Sequence, residues 1–314
     1  MNEARLPAVR SLSVLVMPAS RREEHVPTRR APGWLVSWLQ VGPLAAVLLL
    51  LFAIPMLLFL TVSFFDYDRV GIYPAFIFDS YQDVFTNPAT YEIYVNSLRF
   101  AAITCAITLL LGIAIAQFLI FHIRSATTRI VLFLLCAVPF WTSAIIRAIA
   151  WIPLLGREGA FNQTLIALRI TAHPLSFLLF SNFAVILAYV HQLTLLMIGP
   201  IANSMAKIDP ALLEAATDAG ASRWRLMWDV ILPLSKTGIA LGLVLVFTQV
   251  MGDFFIIQEM SGGQSGSVVS ELSTEIQAMQ YPPAAAAAMV LVVVVGAFVA
   301  GAMRVVDVRK ELAS

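Results

Sequence analysis

Charge is scarce in this chain. Asp, Glu, Lys and Arg make up only 12% of its 314 residues, against 60% hydrophobic residues, whereas an ordinary soluble domain is about 25% charged. One soluble core cannot enclose that much apolar surface, so the composition excludes a soluble enzyme and implies an integral membrane protein. Cysteine is nearly absent: Cys105 and Cys136 both lie in apolar runs, where they read as small core residues and supply neither a disulfide framework nor metal-ligand spacing. No phosphate loop of the form G-x-x-x-x-G-K-S/T occurs. Nor does any Ser/His/Asp, Cys/His or metal-ligand set with usable spacing, so the chain itself is expected to be no enzyme and to bind no cofactor or metal. The net charge of +1 says nothing about nucleic acid, and no nucleic-acid partner is expected.

Long apolar runs are what the chain has instead. A membrane-spanning helix needs roughly 20 apolar residues, and six stretches qualify: Val41–Phe65, Ser97–Phe121, Ile130–Ile152, Leu175–Ile198, Gly238–Ile257 and Ala284–Met303. The expected fold is therefore all-α, with six spans in a lipid bilayer. Residues 1–40 carry six arginines and prolines at 7, 18, 27 and 32, and read as a polar cytoplasmic tail. Its apolar piece Leu12–Met17 is too short for a signal-peptide core, and Met17 is an alternative start. With that tail inside, segments 122–129, 199–237 and 304–314 are cytoplasmic, and fifteen of the twenty basic residues fall inside. The positive-inside rule is satisfied at every crossing. Both termini are thus expected in the cytoplasm. The outer segments hold Asp66, Asp79, Asp83, Glu259, Glu271 and Glu275, an acidic face that favours cations or is merely solvated.

The largest cytoplasmic segment is the most informative. Asp209 is placed to cap a helix opening at Pro210. Leu212, Leu213, Ala215, Ala216 and Ala219 form its small apolar side, Glu214 and Asp218 share another, and Gly220 is a plausible stop. Ser222 is placed to cap a second short helix carrying Arg223, Trp224, Arg225 and Trp228, and Pro233 marks the approach to the next span. The result is a helix-turn-helix elbow. Glu214-Ala215-Ala216, then Gly220, then Val230, Leu232 and Pro233 resembles the EAA motif of permease subunits of bacterial ATP-binding-cassette importers, in which E-A-A, three residues, G, nine residues and I-x-L-P recur. Only the isoleucine departs, to Val230.

Val138-Pro139-Phe140-Trp141-Thr142 with Ile146-Arg147 similarly resembles the V-P-F-W-T-x-x-x-I-R stretch of the first permease subunit of spermidine/putrescine importers. The two resemblances together cover about residues 40 to 310. One departure is Leu193-Thr194-Leu195, where relatives often read Leu-Pro-Phe, which implies a straighter fourth helix and a changed substrate. The resemblance implies a binding-protein-dependent importer permease (MetI-like) fold in a bacterial inner membrane. It also implies four partners: a second permease, two copies of a cytoplasmic ATPase that carries the ATP and magnesium, and a periplasmic solute-binding protein. The cargo implied is a polyamine or a related small organic solute. Glu214, Ala215, Ala216, Gly220, Leu232 and Pro233 would then dock on the ATPase, against the plainer reading of an interfacial amphipathic helix.

Met260-Ser261-Gly262-Gly263-Gln264 nearly repeats the L-S-G-G-Q signature of the ATPases themselves, but with no phosphate loop and an outer location it reads as a glycine-rich turn. Ionisable groups inside spans cost about 2.5–3.5 kcal/mol at mid-bilayer and so face protein or water. Asp253 is the foremost of these, with Gln249 one turn earlier on the same expected face and Glu259 near the helix end. They form a candidate substrate path, the alternative being that Asp253 pairs with Arg147 or a polar neighbour. Trp141 is an interfacial anchor or a cation–π contact for passing ammonium groups. His191 and Gln192 read as helix–helix partners rather than path residues. Ala284–Ala288 permits close helix packing. An autonomous secondary carrier or channel is the alternative function, but it needs no docking elbow, and internal inverted repeats are not evident.

Overall fold

A computed structural model describes residues 33–68 and 71–305. Most of the expected tails, 1–40 and 304–314, and the alternative start at Met17 lie outside the described residues. Contacts divide the chain after Ile54. Up to there the chain forms helix α1 (Gly33–Leu48) and a π-type turn at Leu49–Ala53. Beyond it come α2 (Ile54–Val62), a two-residue hairpin of β1 (Asp66–Tyr67) and β2 (Ile72–Tyr73), and α3 (Asp79–Thr86). The hairpin is antiparallel with Asp66 opposite Tyr73.

The remaining helices are α4 (Pro88–Gln117), α5 (Ala126–Ala137), α6 (Ala144–Leu155), α7 (Ala160–Ala167), α8 (Asn182–Met205), α9 (Pro210–Asp218), α10 (Arg223–Arg225), α11 (Leu232–Leu234), α12 (Lys236–Met251), α13 (Phe255–Ser261), α14 (Val268–Gln277) and α15 (Tyr281–Val305). Gln40–Val62, Pro88–His122, Asn182–Met205 and Tyr281–Arg304 are each long and apolar enough to cross a bilayer unbroken. Two bent pairs complete six if each counts as one span: Ala126–Trp141 with Ala144–Ala167, at 89°, and Arg223–Leu234 with Lys236–Met251, at 70°.

Span boundaries differ from those read from hydropathy because caps, not apolar content, end helices. The second span begins at Pro88, nine residues before Ser97, since the Asn87 side chain accepts from Ala89 N at 3.0 Å and proline suits the first helical position. The fourth begins at Asn182 rather than Leu175. There Ser181 caps it through Ala184 N at 3.2 Å, and Phe180 just before has a left-handed φ of 54°. This helix then runs through Pro200 to Met205. The third and fifth are not continuous helices, and both breaks bear on the functional site.

Helix α8 lies between α4 and α12, with Tyr189, Met197, Ile198, Ile201 and Met205 fully buried. Glycines set how closely the neighbours approach. A Cβ at Gly238 would lie 2.3 Å from the Pro200 carbonyl oxygen, one at Gly242 2.6 Å from Met197 Sδ, and one at Gly112 2.6 Å from Met197 Cγ. Gly238 and Gly242 thus form a small-x-x-x-small contact, the usual way for helices to approach in lipid. Ala284, Ala285, Ala286 and Ala287 are likewise buried. At the end of the bundle opposite the elbow, α14 opens with a reciprocal Ser267/Ser270 capping box, and Ser97 Oγ accepts from Val268 N at 3.1 Å. Overpacking typically costs about 1–3 kcal/mol. Gly238→Val should therefore lower the thermal midpoint of the detergent-solubilised protein by several degrees, while Gly296→Val, where nothing lies within 4 Å, should leave it unchanged.

Candidate functional site

The elbow takes the form its residues predict. Asp209 Oδ1 accepts from Ala211 N at 2.9 Å, Gly220 turns the chain with φ +85°, and Ser222 Oγ accepts from Arg225 N at 3.3 Å. Only Leu213 and Ala216 of α9 turn partly inward. Leu212, Glu214, Ala215 and Ala219 are exposed, so the apolar side is narrower than expected and most of the helix is presented outward. Trp224 and Trp228 stand exposed with ring centroids 5.5 Å apart. A π-type turn at Leu226–Ile231 leads through Leu232 and Pro233 to the 70° bend at buried Ser235, where α12 starts. The elbow is therefore directly continuous with the fifth span.

The third span breaks at Val138–Ser143, where a 3₁₀ turn carries Pro139, Phe140 and Trp141. Carbonyls at such a break have lost their helical donors, a costly state within a bilayer. Thr142 N and Oγ1 supply Pro139 O at 3.2 and 2.8 Å, and Arg147 adds to them. Its Nη1 donates to Pro139 O and, at 2.7 Å, to Thr142 O, and its Nη2 donates to Gln192 Oε1 at 3.2 Å. Gln192 Nε2 donates back to Ala144 O at 3.2 Å, so a closed circuit pins the break to α8. The guanidinium also lies 5.3 Å over the Phe140 ring. Beneath this bracket is a cavity of about 310 Å³ between α4, α5 and α8, whose polar lining includes Arg147, His191, Gln192 and Thr194. Trp151 Nε1 donates to His191 Nδ1 at 3.3 Å. Irregular backbone lining a cavity is how transporters form sites at membrane depth.

Asp253 lies in the turn between α12 and α13, beyond the Ser235 bend. Helix α12 ends at Met251, and Asp253 Oδ1 accepts from Ile256 N at 2.9 Å and from the Tyr189 hydroxyl at 3.1 Å. Two expectations are corrected here. Asp253 and Gln249 do not share one continuous helical face, because α12 ends at Met251 and Asp253 lies in the turn that follows, and Glu259 belongs to the separate helix α13. Nor does Asp253 pair with Arg147; the other half of that alternative, a polar group on a neighbouring helix, is what the structure shows, with Tyr189 of α8 as the partner. Gln249 is exposed, Glu259 half-buried, and Trp141 is 79% exposed. None of these four residues lines the Arg147 cavity.

The glycine-rich turn after α13 has left-handed backbone at Gly262 (φ +63°) and Gly263 (φ +76°), and Ser181 N donates to Met260 O at 3.2 Å. It closes against the start of α8. A second cavity, of about 120 Å³, opens beside α3 and α14, with Tyr67, Asp83, Tyr94, Glu271, Glu275 and Gln280 in its lining. Among the described residues Glu275 Oε2 is buried without a partner. Burial pushes the Glu275 carboxyl up to about 7, and the neighbouring Glu271 carboxylate adds to the rise.

Comparison with known proteins places this architecture. Residues 108–311 match the family of binding-protein-dependent transport system inner membrane components. The chain belongs to that family. It is 36% identical over 212 residues to the spermidine/putrescine transport system permease protein PotB of Haemophilus influenzae, covering 67% of this chain and 73% of that one. To PotB of Escherichia coli it is 33% identical over 219 residues, 69% and 78% of the two chains. The E. coli inner membrane ABC transporter permease protein YdcU is 26% identical over 239 residues, 72% and 75% of the two. In fold the chain resembles the crystal structure of a bacterial alginate ABC transporter bound to an alginate-pentasaccharide-bound periplasmic protein. That likeness has a TM-score of 0.69 at 19% identity, over 86% of this chain and 92% of that one.

The family's inner-membrane helical fold agrees with the all-α reading of the sequence. What residue-by-residue reading missed was His191 and Gln192, set aside as helix–helix partners. They are such partners, through Trp151 and Arg147, and they also line the cavity; the polar Arg147 one span away was the signal that could have linked them. Two expectations follow for this permease. Asp253→Ala strands the buried Tyr189 hydroxyl, at about 1–3 kcal/mol. Thermal unfolding should register that loss, and Tyr189→Phe in the same background should recover part of it, whereas Arg147→Gln should not. Glu275 holds its proton more tightly folded than unfolded, so its stabilisation is complete below the ordinary value of 4.5 and lost as pH rises through about 7. Intrinsic-rate-corrected hydrogen exchange of residues 268–277 should be slower at pH 5 than at pH 8. Glu275→Gln should flatten that difference.

Proposed function

We propose that this chain is the translocation subunit of an ATP-driven importer that moves a small organic amine, a polyamine of the spermidine/putrescine class or a related solute, from periplasm to cytoplasm. The observation that carries the reading is the exposed elbow, with Glu214, Ala215 and Ala216 outward, Gly220 in a left-handed turn, and Leu232 and Pro233 leading into α12. A docking helix joined to a span transmits the motion of whatever holds it. In this reading both termini and segment 199–237 face the cytoplasm. Two ATPase copies carrying ATP and magnesium grip the elbows of this chain and of a second permease. A periplasmic binding protein delivers solute to the opposite face, and this chain binds no nucleotide, cofactor or metal. Asp253 Oδ2, Gln249, Glu259 and Trp141 are the path candidates outside the Arg147 cavity.

The relatives named for spermidine and putrescine transport support the solute class, and the shared family supports the partnership with a binding protein. A β-branched residue in the left-handed region is strained by on the order of 1–3 kcal/mol, so Gly220→Val should deform the elbow although nothing crowds its Cβ position. Glu214→Lys reverses its exposed charge. Both variants should reach the membrane at normal abundance yet lose most solute-stimulated ATP hydrolysis in the assembled complex. Full transport and ATPase binding in both would falsify the coupling role.

A further inference from the structure

The first half of the third span stands away from the bundle, and no residue of α5 is buried. Between α5, the π-type turn at Phe118–His122 and α8 lies an apolar cavity of about 290 Å³. Ile130, Phe133 and Leu134 line it from α5, and Leu119 and Ile120 from the turn. Helix α8 contributes only Gly199, Ala202, Asn203 and Ala206, residues too short to close the gap. A Cβ at Gly199 would meet nothing within 4 Å.

Arg129 and Asn203 are the polar groups of this lining. Arg129 is half-buried, and its side chain has no ion pair or hydrogen bond among the described residues. The walls hold no carboxylate to offer it, since neither residues 93–157 nor residues 159–208 include an Asp or Glu. Arg124, just before α5, and Lys207, just after α8, are exposed and add charge of the same sign. Arg129 lies in the first turn of α5, and the apolar lining follows it along the helix. The cavity beneath the Arg147 bracket adjoins this one, with Leu195 and Ile198 in its lining. Leu195, Ile198, Gly199, Ala202 and Ala206 recur at helical spacing on one side of α8. That stripe is eleven residues long, about 16 Å, close to half of a hydrocarbon core roughly 30 Å thick.

We propose that this crevice holds a phospholipid with an anionic headgroup, its phosphate against Arg129 and one acyl chain between α5 and α8. Basic groups beside an apolar slot between spans complement such a lipid at both of its ends. A cavity of about 290 Å³ along the roughly 10 Å from Gly199 to Ala206 has a cross-section of about 30 Å². A hydrocarbon chain fits that width, whereas a helix about 10–12 Å across needs more than twice as much. An uncharged chain alone would leave Arg129 without a counter-charge. Such a site is independent of what the chain transports.

The test uses the full chain, purified in mild detergent and titrated with phosphatidylglycerol or phosphatidylcholine of equal chain length, with bound lipid counted by native mass spectrometry. One phosphatidylglycerol per chain should be retained at concentrations about fivefold lower than phosphatidylcholine, the factor that one basic residue contributes toward an anionic lipid. Arg129→Gln should abolish that preference and Arg129→Lys should keep most of it. Gly199→Leu fills the crevice without crowding its Cβ position. It should weaken retention of both lipids at least fivefold while leaving the thermal midpoint of the lipid-free protein unchanged. Arg157→Gln, which removes an exposed charge in the lining of a different cavity, should alter neither. Equal retention of the two lipids by the wild type overturns the inference, as does the wild-type preference persisting in Arg129→Gln or vanishing equally in Arg157→Gln. Loss of chain-to-chain association in Gly199→Leu with lipid retention unchanged also overturns it, because a second chain then occupies the crevice.

Discussion

Backbone groups at membrane depth have no water to turn to, and this constraint organises the molecule. Continuous helices meet it within themselves. Where helices stop side chains complete them: the Arg147 guanidinium takes carbonyls at the break of the third span, and the Asp253 carboxylate takes the Ile256 N–H where α13 starts. Each of these charged groups is held in turn by a residue of α8. The breaks are therefore positioned by the central helix, and the cavity beside it exists because an irregular segment is stabilised where a straight helix would have filled the space.

Helix α8 has this role because small residues let its neighbours come close. Met197 sits between Gly112 of α4 and Gly242 of α12, and Gly238 rests on the backbone at Pro200. The same α12 is the direct continuation of the elbow. A displacement of the elbow would reach the α8 contact through one bend at Ser235 and, through α8, both breaks. Such a route couples two sites only where the two conformations differ in their contacts.

The ends of the bundle obey different rules. At one end, α3, α14 and the hairpin line a small acidic cavity in which a buried carboxyl keeps its proton near neutrality. At the opposite end the elbow presents Glu214, Trp224 and Trp228 to the outside. Burial weakens charge at one end and exposure leaves it available at the other.

Sequence alone determined that the chain is an all-α membrane protein with about six crossings, because apolar runs of span length have no soluble explanation. It also determined the elbow, because caps and turns act through local backbone: Asp209, Pro210, Gly220 and Ser222 each act within three residues of where they stand. The limits of the spans and the identity of charge partners were not legible. Asp253 reads along the chain as one polar face with Gln249, but the helix ends at Met251, before Asp253. Arg147 and Gln192 are 45 residues apart, and no periodicity links them. Only the packing of α6 and α13 against α8 decided which polar groups meet, since a hydrogen bond between spans depends on helix rotation and depth, which hydropathy does not encode.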